Sequence, residues 1–212
     1  MSHNSSFIIV GLGNPGSEYE NTRHNAGRVV VRRFAEMHGF PEFAYDKKTD
    51  ALLSEGEVGG TRVILLLPET FMNNSGNSLK KRQATRPNDL SRSVGRASDK
   101  RQDNLIVVHD DLDIPLGSLR IAYARSAAGH KGVQSIIDAL GTNDFTRVRI
   151  GISPVDESGE IRKPHGEEID RFVLKKFTTD ERAMADDALK GARDALVMIL
   201  TEGREKAMNV FH

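Results

Sequence analysis

The stretch "IIVGLGNPGSEYENTRHNAG", residues 8–27, decides how the rest of this chain is interpreted. It begins in an apolar run, residues 7–12, which predicts a buried β-strand. Gly11, Gly13 and Gly16 then follow at the spacing of a dinucleotide-binding loop. In such a loop a helix begins at once, so that its N-terminal amides hold the pyrophosphate.

The residues after these glycines do not fit a nucleotide cofactor. Pro15 removes an amide donor, and residues 17–20 show no apolar period, so the next helix is predicted to begin only near Thr22. The acidic residue expected about 20 positions later would be Glu36, in the middle of that helix. We therefore predict that these glycines do not bind a nucleotide cofactor.

Strands and helices alternate along the remainder of the chain. The predicted strands are 7–12, 52–58, 62–67, 105–108, 118–123 and 147–152, and the predicted helices are 22–37, 69–83, 132–140, 166–176 and 179–201. On the last helix, Met184, Ala188, Ala192, Leu196 and Ile199 are predicted to share one buried face. This order predicts an α/β fold, with a single domain over residues 1–212 and a mixed β-sheet flanked by helices.

Composition excludes several classes of protein. The chain has no cysteine, which excludes disulfides, thiol nucleophiles and cysteine-bound zinc. No apolar run approaches the roughly 18 residues of a membrane span, and the N-terminus does not resemble a signal peptide. We therefore predict a cytoplasmic protein without membrane contact, and we expect a monomer.

The charge distribution is uneven, although the net charge is zero. Residues 80–101 contain eight basic residues against two acidic ones, a net charge of +6. Residues 85–103 within and beside this segment are polar and aperiodic, and they predict a surface loop. Such a basic segment is either a solvated loop or a contact for a polyanion.

Polar residues cluster after three of the predicted strands. The first cluster is Asn14, Tyr19, Arg23, His24 and Asn25; the second is Phe71, Met72, Asn73 and Asn74; the third is His109, Asp110, Asp111 and Asp113. Open α/β sheets form their sites at strand ends, so these clusters are predicted to meet in one cleft.

The residues available there restrict the chemistry. With no cysteine and no Gly-x-Ser-x-Gly motif, the chain offers no obvious nucleophile for covalent catalysis. A histidine beside a carboxylate can act as a general base on water, and asparagine amides can position a carbonyl group or an oxyanion. A metal-dependent hydrolase that uses His109, Asp110, Asp111 and Asp113 is an alternative.

Five motifs resemble those of the bacterial-type peptidyl-tRNA hydrolases. They are "GLGNPGSEYENTRHNAG", "PETFMNNSG", "VVHDDLDIPLG", "GHKGVQSII" and "RVRIGI", in this order and spacing, and the resemblance covers about residues 7–210. It implies a single α/β domain that cleaves the ester between a peptide and the 3′-terminal ribose of tRNA, which recycles tRNA from stalled translation. It also implies that no metal and no nucleotide cofactor is needed.

The resemblance assigns roles to individual residues. It implies that His24 is the general base, that Asp110 supports it, and that Asn14 tests whether the amino group of the substrate is acylated. It further implies that Tyr19, Phe71 and Asn73 contact the acceptor end of tRNA or the peptide.

Two features depart from the family pattern. Lys131 stands where the family usually has asparagine, and we expect its ammonium group to hold the 3′ backbone of the substrate and to keep the His24 imidazole neutral. Residues 85–103 resemble a surface insertion. A non-catalytic RNA-binding protein on the same scaffold remains an alternative.

Overall fold

A computed structural model of the chain describes residues 6–86 and 103–211. Its strands are β1 (Phe7–Gly11), β2 (Ala44–Asp46), β3 (Ala51–Val58), β4 (Thr61–Pro68), β5 (Leu105–Pro115), β6 (Leu119–Tyr123) and β7 (Thr146–Ser153). Its α-helices are α1 (Ala26–Met37), α2 (Gly76–Thr85), α3 (Lys131–Leu140), α4 (Glu168–Val173), α5 (Arg182–Glu202) and α6 (Arg204–Val210). Single turns of 3-10 helix lie at Ser17–Tyr19, Arg23–Asn25 and Met72–Asn74.

The strands form one mixed sheet in the order β2-β3-β4-β1-β5-β7-β6. The central strands β4, β1, β5 and β7 are parallel neighbours, whereas β2, β3 and β6 pair in the antiparallel sense at the two sides. The α/β fold with a mixed sheet is therefore confirmed. Because β1, β5 and β7 run in the same direction, their carboxyl ends meet at one edge of the sheet.

Each face of the sheet is covered by helices, so that the core has two halves. Ile9 points to the half that contains α1 and α5, whereas Ile8 and Val10 point to the half that contains α3. This alternation is the period of two expected of a strand that is buried on both faces. It fixes which side chains at the end of β1 meet the start of α1.

Strand β5 is longer than predicted. The sequence predicts that it ends at Val108, but it continues to Pro115; it pairs with β7 continuously to Asp111 and, after an irregularity, again at Pro115. His109 and Asp110 therefore lie within the strand, not after it, and both are buried. Polar residues in a buried strand are tolerated when partners on other elements satisfy them, and a single sequence does not show such partners.

Two helices begin later than predicted because their expected first residues have long-range partners. Helix α1 begins at Ala26 rather than at Thr22, since the Arg23 amide donates to the carbonyl of Lys175. Helix α2 begins at Gly76 rather than at residue 69, since the Glu69 amide donates to the carbonyl of Asp50.

Three further features differ from the predictions. Strand β2 and helix α6 were not predicted. Met184, expected on the buried face of α5, is 47% exposed, whereas the other members of that face are buried. Met184 lies next to Gly117, which is in the turn between β5 and β6.

The glycines of the opening stretch allow close packing as well as a turn. A Cβ on Gly27 would lie 2.1 Å from the carbonyl oxygen of Val108, and a Cβ on Gly11 would lie 2.8 Å from the carbonyl oxygen of Gly27. Gly16 has φ of +108°, a conformation that favours glycine. The absence of side chains at residues 11 and 27 thus lets the first turn of α1 lie directly against β1 and β5.

Most of the predicted loop of residues 85–103 lies outside the described residues, and so do Arg92, Arg96, Lys100 and Arg101 of the basic segment. Thr85 is the last residue of α2. Among the helices described, none is long and apolar enough to cross a membrane.

Candidate active site

The polar clusters do meet at one edge of the sheet, in a cleft that runs along His24. On one side of His24, a cavity of about 440 Å³ is lined by Asn14, Phe71, Met72, Asn73, Lys131, Asp170, Val173 and Leu174. On the other side, a cavity of about 140 Å³ is lined by residues that include Asp110, Asp111, His130 and Lys163. His24 is thus accessible from two directions.

The centre of the cleft is an imidazole held by a buried carboxylate. His24 lies in the 3-10 turn before α1, and its Nδ1 is 3.0 Å from both carboxylate oxygens of Asp110. Asp110 is 2% exposed, so its negative charge is shielded from bulk water and acts strongly on the histidine that contacts it. A carboxylate acceptor fixes the proton of His24 on Nδ1 and leaves the lone pair on Nε2.

A second histidine, His130, contacts the same carboxylate, and its ring centroid lies 5.0 Å from that of His24. Its Nε2 lies 3.0 Å from Asp110 Oδ1. His130 is also the N-cap of α3, where its Nδ1 accepts the amides of Gly132 and Val133 at 3.2 and 3.3 Å. Because Nδ1 is an acceptor, neutral His130 carries its proton on Nε2 and donates it to Asp110. The start of α3 therefore sets the tautomer of this residue.

The electrostatics of the three residues are coupled. Burial of the His24 imidazole lowers its pKa, but the charge and the hydrogen bond of Asp110 outweigh this effect, and the pKa is raised above 6.5. Burial raises the pKa of the Asp110 carboxyl, but His24 and His130 outweigh it and hold that pKa well below its usual range. Asp110 therefore stays ionised at neutral pH.

The structure corrects one expectation about Lys131. Its charge does lower the pKa of His24, as predicted, but this is the smallest of the effects and Asp170 opposes it. The net pKa of His24 is raised, because two carboxylates lie near the imidazole. Lys131 therefore opposes the rise in the His24 pKa without reversing it.

Asn14 lies at the end of the first strand and is held by three hydrogen bonds. Asn25, one residue after His24, accepts from the Asn14 amide at 2.9 Å and donates to its carbonyl at 3.0 Å. The side-chain oxygen of Asn14 accepts the Met72 amide at 2.8 Å. The side-chain nitrogen Nδ2 has no hydrogen bond to the described residues, so that Asn14 offers a donor at the cavity it lines.

The three other predicted contact residues lie at the outer part of the cleft. Tyr19 and Phe71 form an edge-to-face pair, with ring centroids 6.4 Å apart. Phe71 is 58% exposed, unusual for a phenylalanine that packs against the protein alone. Asn73 lies in the turn Met72–Asn74 and lines the larger cavity.

Lys131 crosses the cleft. Its Nζ lies 2.8 and 2.9 Å from the two carboxylate oxygens of Asp170 on α4. Both side chains are more than half exposed, so this ion pair contributes little to stability. Both residues line each of the two cavities that meet at His24.

The four residues of the metal alternative have other partners. Asp111 pairs with Arg149 at 2.8 Å, Asp113 pairs with Lys163, and the His109 Nδ1 donates to the Asp110 carbonyl. Burial and the nearby His130 lower the pKa of His109 well below 6.5. These groups do not converge on one point.

A different group could hold a metal by distance alone. In the described part of the chain, ligand atoms of His24, Asp110 and His130 lie within 4.8 Å of one another. However, the α3 amides already occupy Nδ1 of His130, which leaves its proton on Nε2, the atom that would face the metal. The donor set therefore does not fit a metal ion without loss of the helix cap.

His130 is the site residue that the sequence prediction missed. The quoted motif "GHKGVQSII" contains it, but the sequence prediction names only Lys131 from that motif, the residue that departs from the family pattern. One signal was available: a polar residue directly before an apolar-periodic helix marks an N-cap, which places its side chain at the same edge of the sheet.

The comparisons with known proteins point to one family. The family model described as peptidyl-tRNA hydrolase matches residues 8–212. The chain is 42% identical to the peptidyl-tRNA hydrolase of Carboxydothermus hydrogenoformans, over 97% of this chain and 98% of that protein. It is 37% identical to that of Thermodesulfovibrio yellowstonii, over 97% and 98%.

A solved structure extends the agreement to the fold. The crystal structure of peptidyl-tRNA hydrolase from Acinetobacter baumannii matches with a TM-score of 0.80 and 33% identity, over 99% of this chain and 96% of that one. The family model, the full-length relatives and the fold agree, and the chain belongs to the peptidyl-tRNA hydrolase family.

Proposed function

We propose that this chain hydrolyses the ester between the peptide and the tRNA in peptidyl-tRNA, with His24 as the general base. The observation that carries the proposal is the chain of contacts from His24 through Asp110 to His130. It fixes the His24 proton on Nδ1 and leaves Nε2 as a lone pair that has no hydrogen bond to the described residues. A base with an open lone pair in a cleft is what activation of water requires.

The reaction runs in two proton transfers. His24 Nε2 takes a proton from water as the water oxygen attacks the ester carbonyl, and Asp110 stabilises the imidazolium that forms. When the tetrahedral intermediate collapses, the bond to the ribose oxygen breaks and that oxygen takes the proton from Nε2. The products are the free peptide and tRNA with its terminal hydroxyl restored.

Asn14 is proposed to select substrates with a blocked amino group. Its oxygen already accepts the Met72 amide, whereas its Nδ2 is free to donate into the cavity. A peptide carbonyl accepts such a hydrogen bond, whereas the free ammonium group of an aminoacyl-tRNA is a donor and repels it. This supports the sequence-based role of Asn14 and assigns it to one atom.

Tyr19, Phe71 and Asn73 are proposed to bind the acceptor end or the peptide next to the ester. The exposed ring of Phe71 offers a stacking surface for a base of the acceptor end, and its edge-to-face contact with Tyr19 holds it in place. Asn73 adds an amide at the wall of the same cavity.

Lys131 is proposed to bind a phosphate of the 3′ backbone. Its present partner, Asp170, is 64% exposed, and such a pair is weak enough for a phosphate to replace the carboxylate. A lysine supplies donors and no acceptor, so it can bind substrate but cannot accept a hydrogen bond from the attacking water.

The experiment that tests the function compares two substrates with purified protein. We expect release of free tRNA from N-acetyl-aminoacyl-tRNA and little release from the unacetylated form. His24→Ala should lose about 10²–10⁴-fold in kcat and still bind tRNA, whereas His165→Ala, at an exposed histidine, should be as active as the native chain. Tight tRNA binding by the native chain without hydrolysis would instead favour the RNA-binding alternative, which the comparisons do not support.

The proposal also covers the metal requirement, the location and the oligomeric state of the protein. We infer that no metal is needed, so activity should survive exhaustive chelation. We also infer a cytoplasmic monomer: the chain has no cysteine to oxidise, and the exposed large apolar side chains of the described residues are scattered over separate elements. Light scattering coupled to size-exclusion chromatography checks the monomer.

A further inference from the structure

Arg23 lies directly before His24 and has no part in the proton transfers, yet its side chain is only 4% exposed. Long cationic side chains are rarely buried unless they are fully paired. The side chain is buried because it contacts the segment of residues 172–181.

The guanidinium group of Arg23 binds this segment through both of its terminal nitrogens. Nη2 donates to both carboxylate oxygens of Glu181, at 2.8 and 2.6 Å. Nη1 donates to the carbonyl of Lys176 at 2.7 Å and to that of Lys175 at 3.2 Å. The backbone adds a further bond, from the Arg23 amide to the Lys175 carbonyl at 3.0 Å.

Two aromatic rings cover the same guanidinium group. Its central carbon lies 4.5 Å from the ring centroid of Phe172 and 5.1 Å from that of Phe177. A planar guanidinium can stack on rings and bind a carboxylate with two bonds at once, which the ammonium group of a lysine cannot do. The site is therefore specific for arginine.

Glu181, the partner of Arg23, also forms the start of α5. Its Oε2 accepts the Thr178 amide at 2.7 Å, while Thr178 Oγ1 accepts the Glu181 amide at 3.4 Å. This reciprocal pair is a capping box. Arg23 is thus bound to a rigid helix start rather than to a free side chain.

The segment that Arg23 binds also supplies a wall of the cleft. Val173 and Leu174, which directly follow Phe172, line the larger cavity together with His24. The same group of contacts therefore sets the position of the His24 turn and the position of this wall.

We propose that Arg23 is a positioning residue of the active site. Its contacts with Phe172, Phe177 and Glu181 hold the turn of residues 23–25 at the place where His24 Nδ1 reaches Asp110, and they fix the distance from His24 to the α4 wall. This inference rests on the proposed function for its effect on turnover, and it has a separate readout in the titration of His24.

The test replaces Arg23 by lysine, which keeps the charge but loses the two-bond fork and the stacking. The matched control is Arg33→Lys, because Arg33 on α1 also pairs with a residue of α5, Asp186 at 2.8 Å, at an exposed position away from the His24 turn. We expect Arg23→Lys to reduce kcat by up to about 10²-fold, the effect of a displacement near 1 Å at a reacting group. Arg33→Lys should leave kcat unchanged.

The second readout follows the His24 imidazole by NMR titration, with His24→Gln to identify its signal. Burial lowers the pKa of His24 and contact with Asp110 raises it by more. An imidazole that drifts from Asp110 therefore titrates at lower pH in Arg23→Lys, and at the native pH in Arg33→Lys. A general loss of stability would not cause this shift in folded protein.

The two readouts separate the possible outcomes. A native chain without hydrolase activity would refute the proposed function, while the titration would still test Arg23. If Arg23→Lys does not fold, Glu181→Gln replaces it in both measurements. Glutamine can still accept the Thr178 amide but loses the charge that Arg23 binds. We expect the His24 titration to shift to lower pH in this variant too, by a smaller amount. Native kcat and native His24 titration in whichever of these variants folds would overturn the proposal.

Discussion

The replacement of Asp110 by asparagine tests the hydrogen-bond logic of the site most directly. Asparagine has nearly the shape of aspartate, but it offers one acceptor and one NH₂ donor where aspartate offers two acceptors. Two N–H groups point at Asp110: Nδ1 of His24 and Nε2 of His130, each at 3.0 Å. His24 Nδ1 also lies 3.0 Å from the second oxygen, Oδ2, so in either orientation of the amide the NH₂ group of the Asp110→Asn variant faces at least one of these N–H groups.

The start of α3 determines which histidine loses its hydrogen-bond acceptor. His130 cannot move its proton to Nδ1, because that atom accepts the amides of Gly132 and Val133. It therefore keeps the asparagine oxygen, and the NH₂ group faces His24. His24 then has to accept on Nδ1 and carry its proton on Nε2, the atom that should take the proton from water. The variant holds the base in the wrong tautomer.

The expected cost is about 10²–10⁴-fold in kcat, the range that general-base assistance supplies. Asp110→Ala should retain more activity than Asp110→Asn, although alanine is the larger change in shape, because it places no donor against His24. The assay is single-turnover hydrolysis of N-acetyl-aminoacyl-tRNA, with thermal unfolding to confirm that each variant is folded. An asparagine variant that is faster than the alanine variant would refute the tautomer argument.

A double variant gives the same argument a sharper form. His130→Asn removes the Nε2 donor and keeps a good N-cap residue at the start of α3. In Asp110→Asn/His130→Asn the amide of residue 110 is free to turn its oxygen toward His24. We expect the double variant to be about tenfold faster than Asp110→Asn alone, equivalent to one hydrogen bond of about 1.4 kcal/mol. Equal or lower activity in the double variant would contradict the proposed role of His130.

The pH profile supplies an independent check on the same contact. The pKa of His24 is raised because Asp110 outweighs burial, and a base works only when it is neutral. The kcat/KM of the native enzyme, which reports the pKa of the free enzyme, should therefore fall as the pH drops through a value above 6.5. In Asp110→Ala the raising charge is gone, and the remaining activity should fall at lower pH. A shift in the other direction would show that Asp110 does not act on His24.

Further predictions concern recognition and packing. Asn14→Asp, which loses the Nδ2 donor, should reduce the ratio of kcat/KM for acetylated over free aminoacyl-tRNA; an unchanged ratio would place selection elsewhere. Lys131→Ala should raise KM with kcat little changed, and the rise should be smaller at high salt. Asp170→Asn should lower KM, because it frees the lysine. A fall in kcat instead of a rise in KM for Lys131→Ala would show that the residue acts in the chemistry. Gly27→Ala should cost about 1–3 kcal/mol in unfolding free energy, since its Cβ would lie 2.1 Å from the Val108 carbonyl oxygen; an unchanged Tm would refute the close approach.

Local pattern in the sequence was sufficient for the fold class and for most of the elements, and it drew attention to the candidate site residues. The alternation of apolar runs and helical periods predicts the α/β fold because each half of the core requires a repeated apolar face, and this repeat is visible in the chain itself. His24, Asp110 and Asn14 belong to polar clusters that follow predicted strands, which marks them as candidates at one edge of the sheet, and the resemblance to the family supplied their individual roles.

The tertiary structure decided what each of these residues contacts. It placed Asp110 inside β5, because His24 and His130 from other elements satisfy its charge. The start of α3 determined the tautomer of His130. Arg23 is buried against a segment that is distant in the chain, with 158 positions between Arg23 and its partner Glu181. Hydrogen bonds of this kind join residues that share no local pattern, so a single sequence shows the donors and acceptors but not their pairing.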